Sequence, residues 1–376
     1  DSWDYDATQP ILLADLTIGG KLCHVLMQAN KNAFFYVIDR ENGQLISATP
    51  YSTMTWATGI DSAGRPIVAA AARPSSKGTM VIPSDAGAHN WYPISFSPAT
   101  GLVYFSVLED APLHHVVDPS FVLKVTDMTT GRDSRYRGPL LAKVADARPR
   151  GRLVAWDPIR GREAWRAEFS VSRSGGTLST AGNLVFQGRG DGKLSAYRAT
   201  DGKQLWEFDV GVGIAAAPMT YAVGSAQYLA VVAAPPRLYA DAEVKTGPGR
   251  LLVFSLGGSV ALPPAVHTET PIPLPTFTVL ASPADIREGE ALFNRYCRRC
   301  HSPDANLVKS GAVPDLRRTT AATHAVFDSI VRGGARHTLG MPSFNLDLSA
   351  EQARWIEAYV LDWARGAAVA KRPAEH

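Results

Sequence analysis

The stretch Cys297-Arg298-Arg299-Cys300-His301 carries the most specific pattern in this sequence. Cysteines three positions apart lie on one face of a helical turn, and a histidine directly follows the second one. This is the attachment pattern of a c-type haem, in which both thiols form thioethers and the imidazole binds the iron. The stretch therefore predicts a covalent haem held by Cys297 and Cys300, with His301 as an axial iron ligand.

A zinc site is the alternative interpretation of the two cysteines. The chain has three cysteines in all. The third, Cys23, is expected to be a small hydrophobic side chain packed in a strand. A zinc ion would need histidine ligands, and no histidines stand at a suitable spacing. The pattern therefore favours haem.

The sixth iron ligand has three candidates. Met341 is the last methionine of the chain and lies in a Gly-Met-Pro loop. Its thioether is a soft ligand that favours ferrous iron, so we expect Met341 to be the second axial ligand. His324 and His337 are its rivals. A carbonyl near Pro314 is expected to accept a hydrogen bond from the other nitrogen of the first axial histidine.

Helical signals surround the attachment motif in residues 284–370. Ser282-Pro283-Ala284-Asp285 predicts a capped helix start, with Gly289 and Phe293 on one face. A short helix is predicted around residues 322–331, ending at Gly333-Gly334. The last helix is expected to start at Ser349 and to have an apolar face, formed by Trp355, Ile356, Tyr359 and Val360. This all-α segment resembles a class I cytochrome c domain.

Residues 1–258 have the pattern of a β-rich domain, with short apolar runs bounded by turn residues at 21–28, 33–39, 101–107, 152–156, 183–187 and 227–233. One segment is repeated: Ala155-Trp-Asp-Pro-Ile-Arg-Gly161-Arg-Glu-Ala-Trp165 recurs as Ala196-Tyr-Arg-Ala-Thr-Asp-Gly202-Lys-Gln-Leu-Trp206, with weaker copies at Asp39/Gly43 and Asp127/Gly131. Strand, glycine turn, strand and a tryptophan packed on the next unit predict β-propeller blades. Unrelated hairpins with similar turns are the alternative.

The composition of the chain predicts a linker between the two regions and limits the partners and the location to be expected. Pro-rich residues 259–283 predict a semi-rigid linker. The 376 residues are 45% hydrophobic and 19% charged, with a net charge of +3, which gives no indication of a nucleic-acid partner. No apolar run of spanning length predicts a transmembrane segment. Covalent haem attachment requires export, so we expect a periplasmic protein and, because the chain opens at Asp1, a processed or truncated one.

Three stretches of the β-rich region are similar to the quinohaemoprotein alcohol dehydrogenases, which use pyrroloquinoline quinone (PQQ) and Ca²⁺. They are Trp3-Asp-Tyr-Asp-Ala-Thr-Gln-Pro10, Val25-Leu-Met-Gln-Ala-Asn-Lys-Asn-Ala-Phe-Phe-Tyr-Val-Ile-Asp-Arg40 and Trp56-Ala-Thr-Gly-Ile-Asp61. Gly87-Ala-His-Asn-Trp91, Gly175-Gly-Thr177 and the two tryptophan repeats strengthen the resemblance. It covers nearly the whole chain and includes the cytochrome.

The resemblance implies roles for three residues. Asp4 matches the catalytic base, which also lies close to Ca²⁺, and Lys31 matches the basic residue that hydrogen-bonds the quinone carbonyls. Asn90 matches an asparagine that contacts PQQ. A carboxylate in this position can accept the alcohol proton while hydride moves to the quinone. Ca²⁺ and the Lys31 cation would stabilise the developing negative charge.

The chain departs from the family pattern in two places and in extent. Ser174 replaces a larger residue, and Ala233-Ala-Pro-Pro236 replaces a loop that borders the active site. The substrate pocket therefore does not follow from the resemblance as the cofactor chemistry does. The family's propeller has eight blades, and residues 1–258 supply about half of them. We therefore expect a C-terminal portion of a longer enzyme, with an open blade edge and an incomplete PQQ site.

The leading hypothesis is a dehydrogenase that oxidises primary alcohols and passes electrons through its haem to an external acceptor, which would be a cytochrome, a copper protein or a quinone. One alternative is an electron carrier or propeller scaffold without dehydrogenase activity of its own. Another is a related quinoprotein that acts on aldehydes, sugars or polyols. The sequence does not identify the alcohol or the acceptor.

Overall fold

The chain divides into two compact units, one containing the strands and one containing the helices. The computed structural model describes residues 2–109, 113–115, 117, 150–171, 174–234, 244–245, 247–263, 271–301, 308 and 313–370. The expected fold classes, an all-β propeller portion followed by an all-α cytochrome c domain, are confirmed by this order of elements. The predicted boundaries at 258 and 284 remain predictions.

The described part of the strand unit contains three four-stranded sheets and one three-stranded sheet, all antiparallel. The first sheet is β1 (Leu12–Ile18), β2 (Lys21–Ala29), β3 (Phe34–Asp39) and β4 (Leu45–Pro50). Short strands follow: β5 (Ala57–Ile60), β6 (Pro66–Val68) and β7 (Thr79–Val81). Next come β8 (Ser95–Ser97), β9 (Leu102–Glu109), β10 (Leu113–His115), β11 (Arg150–Asp157) and β12 (Arg162–Phe169). β5 pairs with β6, β7 pairs with β10, and the second sheet has the order β12-β11-β9-β8.

The remaining two sheets are formed by consecutive strands. The third consists of β13 (Ser174–Ser179), β14 (Leu184–Arg189), β15 (Lys193–Arg198) and β16 (Gln204–Asp209). The fourth consists of β17 (Met219–Val223), β18 (Ala226–Ala233) and β19 (Arg250–Ser255). The six predicted strands are therefore found within one or two residues of their expected bounds.

A turn with the same geometry precedes the last strand of the first three sheets. In each turn a glycine amide donates to the carbonyl four residues earlier, at 2.8 to 2.9 Å: Gly43 to Asp39, Gly161 to Asp157 and Gly202 to Arg198. All three glycines have positive φ, which side chains disfavour. A β-bulge lies just before each turn. The shared bulge and turn support repeated blades over unrelated hairpins; Asp127/Gly131 lies outside the described residues.

Apolar cores fill the space between successive sheets. Phe105 of β9 packs with Phe35 of β3 in one core, whereas Tyr104 packs with Tyr197 of β15 in the next. Neighbouring residues of one strand point to opposite faces, so β9 contributes to both cores. A third core joins the third and fourth sheets, through Leu194, Leu229, Val231 and Leu252. Sheets packed face to face in sequence order are the arrangement of propeller blades.

The two repeat tryptophans make the predicted contacts with the next sheet. Trp165 is buried, and its Nε1 donates to the Ala199 carbonyl at 2.9 Å. Its ring covers Gly202, where an added Cβ would lie 2.5 Å from the ring. Trp206 contacts Phe254 of the fourth sheet, with ring centroids 5.4 Å apart, and stays 37% exposed.

The helical unit contains five helices in its described part: α1 (Pro283–Tyr296), α2 (Arg298–His301), α3 (Ala321–Ala325), α4 (Phe327–Val331) and α5 (Ala350–Ala370). The Ser282–Asp285 capping box begins α1 as expected. The single helix predicted at 322–331 is wrong: Val326 leaves helical geometry (φ −118°, ψ 21°) and separates α3 from α4. No described helix is long and apolar enough to span a membrane.

Helices α1 and α5 cross at a glycine. Gly289 is buried, and a Cβ added there would lie 2.0 Å from the Trp355 carbonyl oxygen. One turn further along α1, the Phe293 ring contacts the rings of Tyr359 and Trp363 on α5. This crossing forms the core against which the attachment motif folds.

The second half of the predicted linker lies against the helices. Arg318 donates to the Pro271 carbonyl at 3.0 Å, and Arg365 donates to the Phe277 carbonyl at 2.8 Å. The Phe277 ring also contacts the His324 ring, with centroids 4.7 Å apart. Residues 271–281 are therefore held by the helical unit instead of forming a free spacer.

Candidate functional site

The attachment motif occupies the junction of α1 and α2. Cys297 caps α1, and its carbonyl accepts hydrogen bonds from the amides of Cys300 and His301 at 3.1 and 2.9 Å. This tight turn keeps both thiols on one side, and neither forms a disulfide. Burial, and to a lesser degree the nearby Cys300 thiol, raises the pKa of Cys297 to about 12. The Cys297 thiol therefore lies in an apolar core, the kind of environment that a porphyrin ring requires.

His301 is oriented by a backbone carbonyl. Its Nδ1 lies 3.0 Å from the Pro314 oxygen, so Nδ1 donates and the lone pair of Nε2 is left for a metal. Burial lowers the pKa of His301, although the Pro314 hydrogen bond opposes this shift. The side chain is therefore held as a neutral imidazole, the form that binds iron. This is the outer acceptor expected from the sequence.

Met341 packs against the same apolar core as Cys297. It follows Gly340, whose positive φ of 89° turns the chain, and its side chain is partly buried. His324 is less available as a ligand, because Glu357 and Thr319 engage its two ring nitrogens. His337 is exposed. Of the three candidates, Met341 packs against the core beside the attachment motif and its sulfur has no hydrogen-bond partner among the described residues, whereas both ring nitrogens of His324 are engaged.

A second polar cluster lies in the strand unit. The Lys31 ammonium is 3.2 Å from the Asp4 carboxylate and 2.8 Å from the Asp6 carboxylate. The Lys31 side chain is 5% exposed, whereas those of Asp4 and Asp6 are 66% and 55% exposed. The hydrogen bond from Lys31 holds the pKa of Asp6 below its usual value. Asp6 was not among the residues predicted from the sequence, although its position two residues after Asp4 was a signal.

Buried aromatic residues hold Asp4 in place. Trp3 and Tyr5 on either side of it are buried, with Trp3 Nε1 donating to Ala72 at 2.9 Å and Tyr5 Oη to Pro83 at 2.6 Å. Both rings pack on Trp56. Asp4 itself has a positive φ of 65°, and its carboxylate lies 3.2 Å from the Lys31 ammonium.

Asn90 belongs to a loop that lies against Lys31. An added Cβ on Gly87 would be 2.6 Å from Lys31 Cγ, and the Ala88 amide donates to the Lys31 carbonyl at 2.9 Å. The side-chain amide nitrogen of Asn90 donates to the Ala86 carbonyl at 2.7 Å, and Asn90 Oδ1 accepts from the backbone amide of Trp91 at 2.8 Å. The fold therefore brings the loop of Asn90 to Lys31, while the Asn90 side chain is partly used within its own loop.

The described residues that depart from the family pattern lie at the start of β13 and at the end of β18. Ser174 is buried at the start of β13, and Gly175 packs so closely on the Ala216 carbonyl that a Cβ would approach it to 2.6 Å. Thr177 donates to the Tyr104 carbonyl at 2.9 Å between two sheets. Ala233 is buried in β18, whereas Pro235 and Pro236 lie outside the described residues.

Metal ligands are sparse in the part of the chain that the structure describes. Within it, no group of three or more His, Cys, Asp or Glu side chains could hold a metal ion. Ca²⁺ takes six to eight oxygen ligands. Asp4 and Asp6 offer carboxylate oxygens, but these residues alone do not fit a complete calcium site.

Two protein-family models match the chain. Residues 1–56 and 142–229 match the family described as glucose/ethanol/alcohol dehydrogenase, beta-propeller domain. Residues 284–360 match the family described as cytochrome C oxidase, cbb3-type, subunit III. The fold and the two candidate sites thus define a chain that joins part of a quinoprotein propeller to a c-type cytochrome unit.

Relatives and solved structures match this chain over nearly its whole length. Quinohemoprotein alcohol dehydrogenase ADH IIB of Pseudomonas putida is 40% identical over 96% of this chain, and 1-butanol dehydrogenase (cytochrome c) of Thauera butanivorans is 38% identical over 99%. The solved structure of quinohemoprotein alcohol dehydrogenase ADHIIG from Pseudomonas putida HK5 has a TM-score of 0.75 and 37% identity, over 99% of this chain and 56% of that one. The strong homologues of this chain are therefore quinohaemoprotein alcohol dehydrogenases. The chain spans about half of their length, since the match covers 52% and 54% of the two relatives.

Proposed function

We propose that this chain is part of a PQQ-dependent alcohol dehydrogenase that passes electrons to a covalently attached haem c and on to an external acceptor. One observation carries the proposal: a single chain joins the Asp4–Lys31 pair of a propeller portion to a Cys-x-x-Cys-His turn with an oriented, buried histidine. The substrate class is primary alcohols. Aldehydes, sugars and polyols remain the alternative class, because the loop containing Ala233 departs from the family pattern.

The helical unit fits a haem. Cys297 and Cys300 would hold it through thioethers, and His301 and Met341 would be its axial ligands. A histidine–methionine pair gives a one-electron centre that stays low-spin in both oxidation states. The Pro314 carbonyl keeps His301 in the ligating tautomer, and the apolar core around Cys297 excludes water.

The strand unit would contribute one side of a PQQ site. Bound PQQ would supply a two-electron acceptor for the hydride of the alcohol. Lys31 would donate hydrogen bonds to its carbonyl oxygens, and Asn90 would contact it from the neighbouring loop. The exposed Asp4 carboxylate, 3.2 Å from the Lys31 ammonium, is the group that would accept the alcohol proton.

Ca²⁺ next to Asp4 is part of the family resemblance, but the described residues fit it incompletely. The proposed chemistry therefore assigns no step to a metal ion. The remaining ligands would have to come from outside the described residues.

The cellular setting follows from the haem. Thioether attachment requires export, so the proposed location is the periplasm, and the proposed acceptor is a cytochrome, a copper protein or a quinone.

Alcohol-dependent haem reduction tests the proposal. The complete enzyme that contains this chain, produced with haem attached, is incubated with PQQ, Ca²⁺ and ethanol, and the ferrous haem bands are followed. Reduction that is abolished by Asp4→Asn, with an unchanged haem spectrum, supports the dehydrogenase. A variant that still oxidises ethanol would refute the role of Asp4.

An electron carrier without dehydrogenase activity is the second candidate. The length of the chain favours it, because the match covers only 52% and 54% of the two dehydrogenase relatives. Haem that is reduced by external donors and never by ethanol with PQQ would support this candidate.

A further inference from the structure

His324 is a buried polar side chain that the proposed haem chemistry does not use. Its side chain is 3% exposed, and its Nδ1 lies 2.9 Å from Glu357 Oε1, on a side chain that is only 11% exposed. Its Nε2 lies 2.8 Å from Thr319 Oγ1. Burying a polar side chain costs free energy unless it is hydrogen-bonded. Here the hydrogen bonds of His324 connect α3 to α5 and to the turn that contains Thr319.

The direction of these hydrogen bonds follows from Thr319. Its hydroxyl lies 2.7 Å from the Leu316 carbonyl, which can only accept, so the single hydroxyl proton goes to Leu316. Thr319 Oγ1 must then accept from the N–H of His324 Nε2. On the other side of the ring, His324 Nδ1 lies 2.9 Å from Glu357 Oε1, so Glu357 holds the ring from α5.

This chain of hydrogen bonds ends at the segment that orients His301. Leu316 begins a short 3-10 turn (Leu316–Arg318), which is capped by the Asp315 carboxylate. The residue immediately before that cap is Pro314, whose carbonyl accepts from His301 Nδ1 at 3.0 Å. Fixing the Leu316 carbonyl therefore fixes the turn from which the Pro314 carbonyl projects.

Packing supports the same segment from several sides. The His324 ring stacks on Phe327 of α4 with an interplanar angle of 8°, and Phe277 covers it at 4.7 Å. Glu357 belongs to α5, the helix that also packs against α1 and the attachment motif. His324 thus connects the 271–281 segment, α5 and the Pro314 turn.

We propose that His324, held by Glu357 and acting through Thr319, is a positioning residue for the axial ligand His301. The proposal rests on the proposed haem site. The strength of the His301–Pro314 hydrogen bond sets how basic the imidazole is as a ligand, and a more basic ligand favours ferric iron. Loosening the Pro314 turn weakens that bond and raises the reduction potential of the haem.

Thr319→Val is the most informative change, because it removes the hydroxyl and keeps the shape. Thr319→Ser keeps the hydroxyl and should restore wild-type behaviour. Thr323→Val is the matched control: the Thr323 hydroxyl lies in α3 beside His324, but its hydrogen bond in the described part of the chain is to Thr320, the N-cap of α3, and not to the Pro314 turn. Glu357→Gln is a second test from the other end of the cluster.

The readout is the reduction potential of the haem in the full chain, measured by spectroelectrochemistry. At the wild-type midpoint, Thr319→Val is expected to shift the ferrous-to-ferric ratio about tenfold towards ferrous, equivalent to about 59 mV. Glu357→Gln should shift it in the same direction, and Thr319→Ser and Thr323→Val should leave it unchanged.

Two outcomes would overturn the proposal. If Thr319→Val and Glu357→Gln carry intact haem and match Thr323→Val in potential, His324 does not position His301. If the wild-type chain shows no covalent haem on a denaturing gel, the proposed function fails together with this inference. The gel and the potential separate the two failures.

Discussion

Replacing Gly289 with alanine tests the helix crossing that forms the haem-binding core. The new Cβ would lie 2.0 Å from the Trp355 carbonyl oxygen and 2.5 Å from its carbonyl carbon, both backbone atoms. Ordinary contact begins at 3.4 Å, so α1 and α5 must separate by about 1.4 Å (3.4 − 2.0) at this point.

The expected cost follows from two opposing effects. Overpacking a core costs about 1–3 kcal/mol, and this contact with backbone belongs at the upper end. Alanine in a helix gains about 1 kcal/mol over glycine. The net loss is therefore about 2 kcal/mol, and a unit of this size should melt about 8–16 °C lower.

Helical circular dichroism at 222 nm during thermal unfolding measures the effect. Gly366→Ala is the matched control, because Gly366 also lies in a helix (α5) and a Cβ there has no atom within 4 Å. The control should be stabilised by up to about 1 kcal/mol. If Gly289→Ala melted at or above the wild-type temperature while Gly366→Ala behaved as expected, the proposed crossing would be wrong.

Three further predictions concern pH, the blade turn and the iron ligand. Burial lowers the pKa of His89 from 6.5 to about 4, so its contribution to stability is complete above pH 6.5 and is lost as the pH falls towards 4. In urea, the free energy of unfolding should fall by about 2 kcal/mol at pH 5 because of this group, and His89→Gln should remove that loss. If the free energy of the variant depended on pH as the wild type does, the prediction would be contradicted. Gly202→Ala should destabilise the strand unit more than Gly224→Ala, because both have positive φ but only Gly202 lies under a tryptophan ring; equal melting temperatures would argue against this packing. Met341→Ala should give a high-spin ferric spectrum and His337→Ala should not, and the reverse result would exchange the two ligands.

Several features could be predicted because they depend on residues close in sequence. The turn from Cys297 to His301 is closed by hydrogen bonds from its own backbone amides to the Cys297 carbonyl, so the spacing of these residues alone indicated the site. Gly161 and Gly202 were visible for the same reason, since a turn that needs positive φ selects glycine wherever it recurs.

The role of His324 could not be read in this way. In the sequence, His324 was one of two histidines that could rival Met341 as the second axial ligand. Its partner Glu357 stands on another helix, and only the folded chain brings the two to 2.9 Å. The break at Val326 was missed as well, because a single β-branched residue is no reliable signal of a helix end.

The sequence by itself determined the order of the two units, the haem attachment turn and the blade repeat, since each is encoded by local spacing and by residues with special backbone geometry. The tertiary structure alone decided which charges meet. Lys31 pairs more closely with Asp6 than with Asp4, and both contacts cross more than twenty residues of chain. The physical reason is that a buried ammonium takes whichever carboxylates the folded backbone brings to it, and that choice depends on where Trp3 and Tyr5 anchor the first segment.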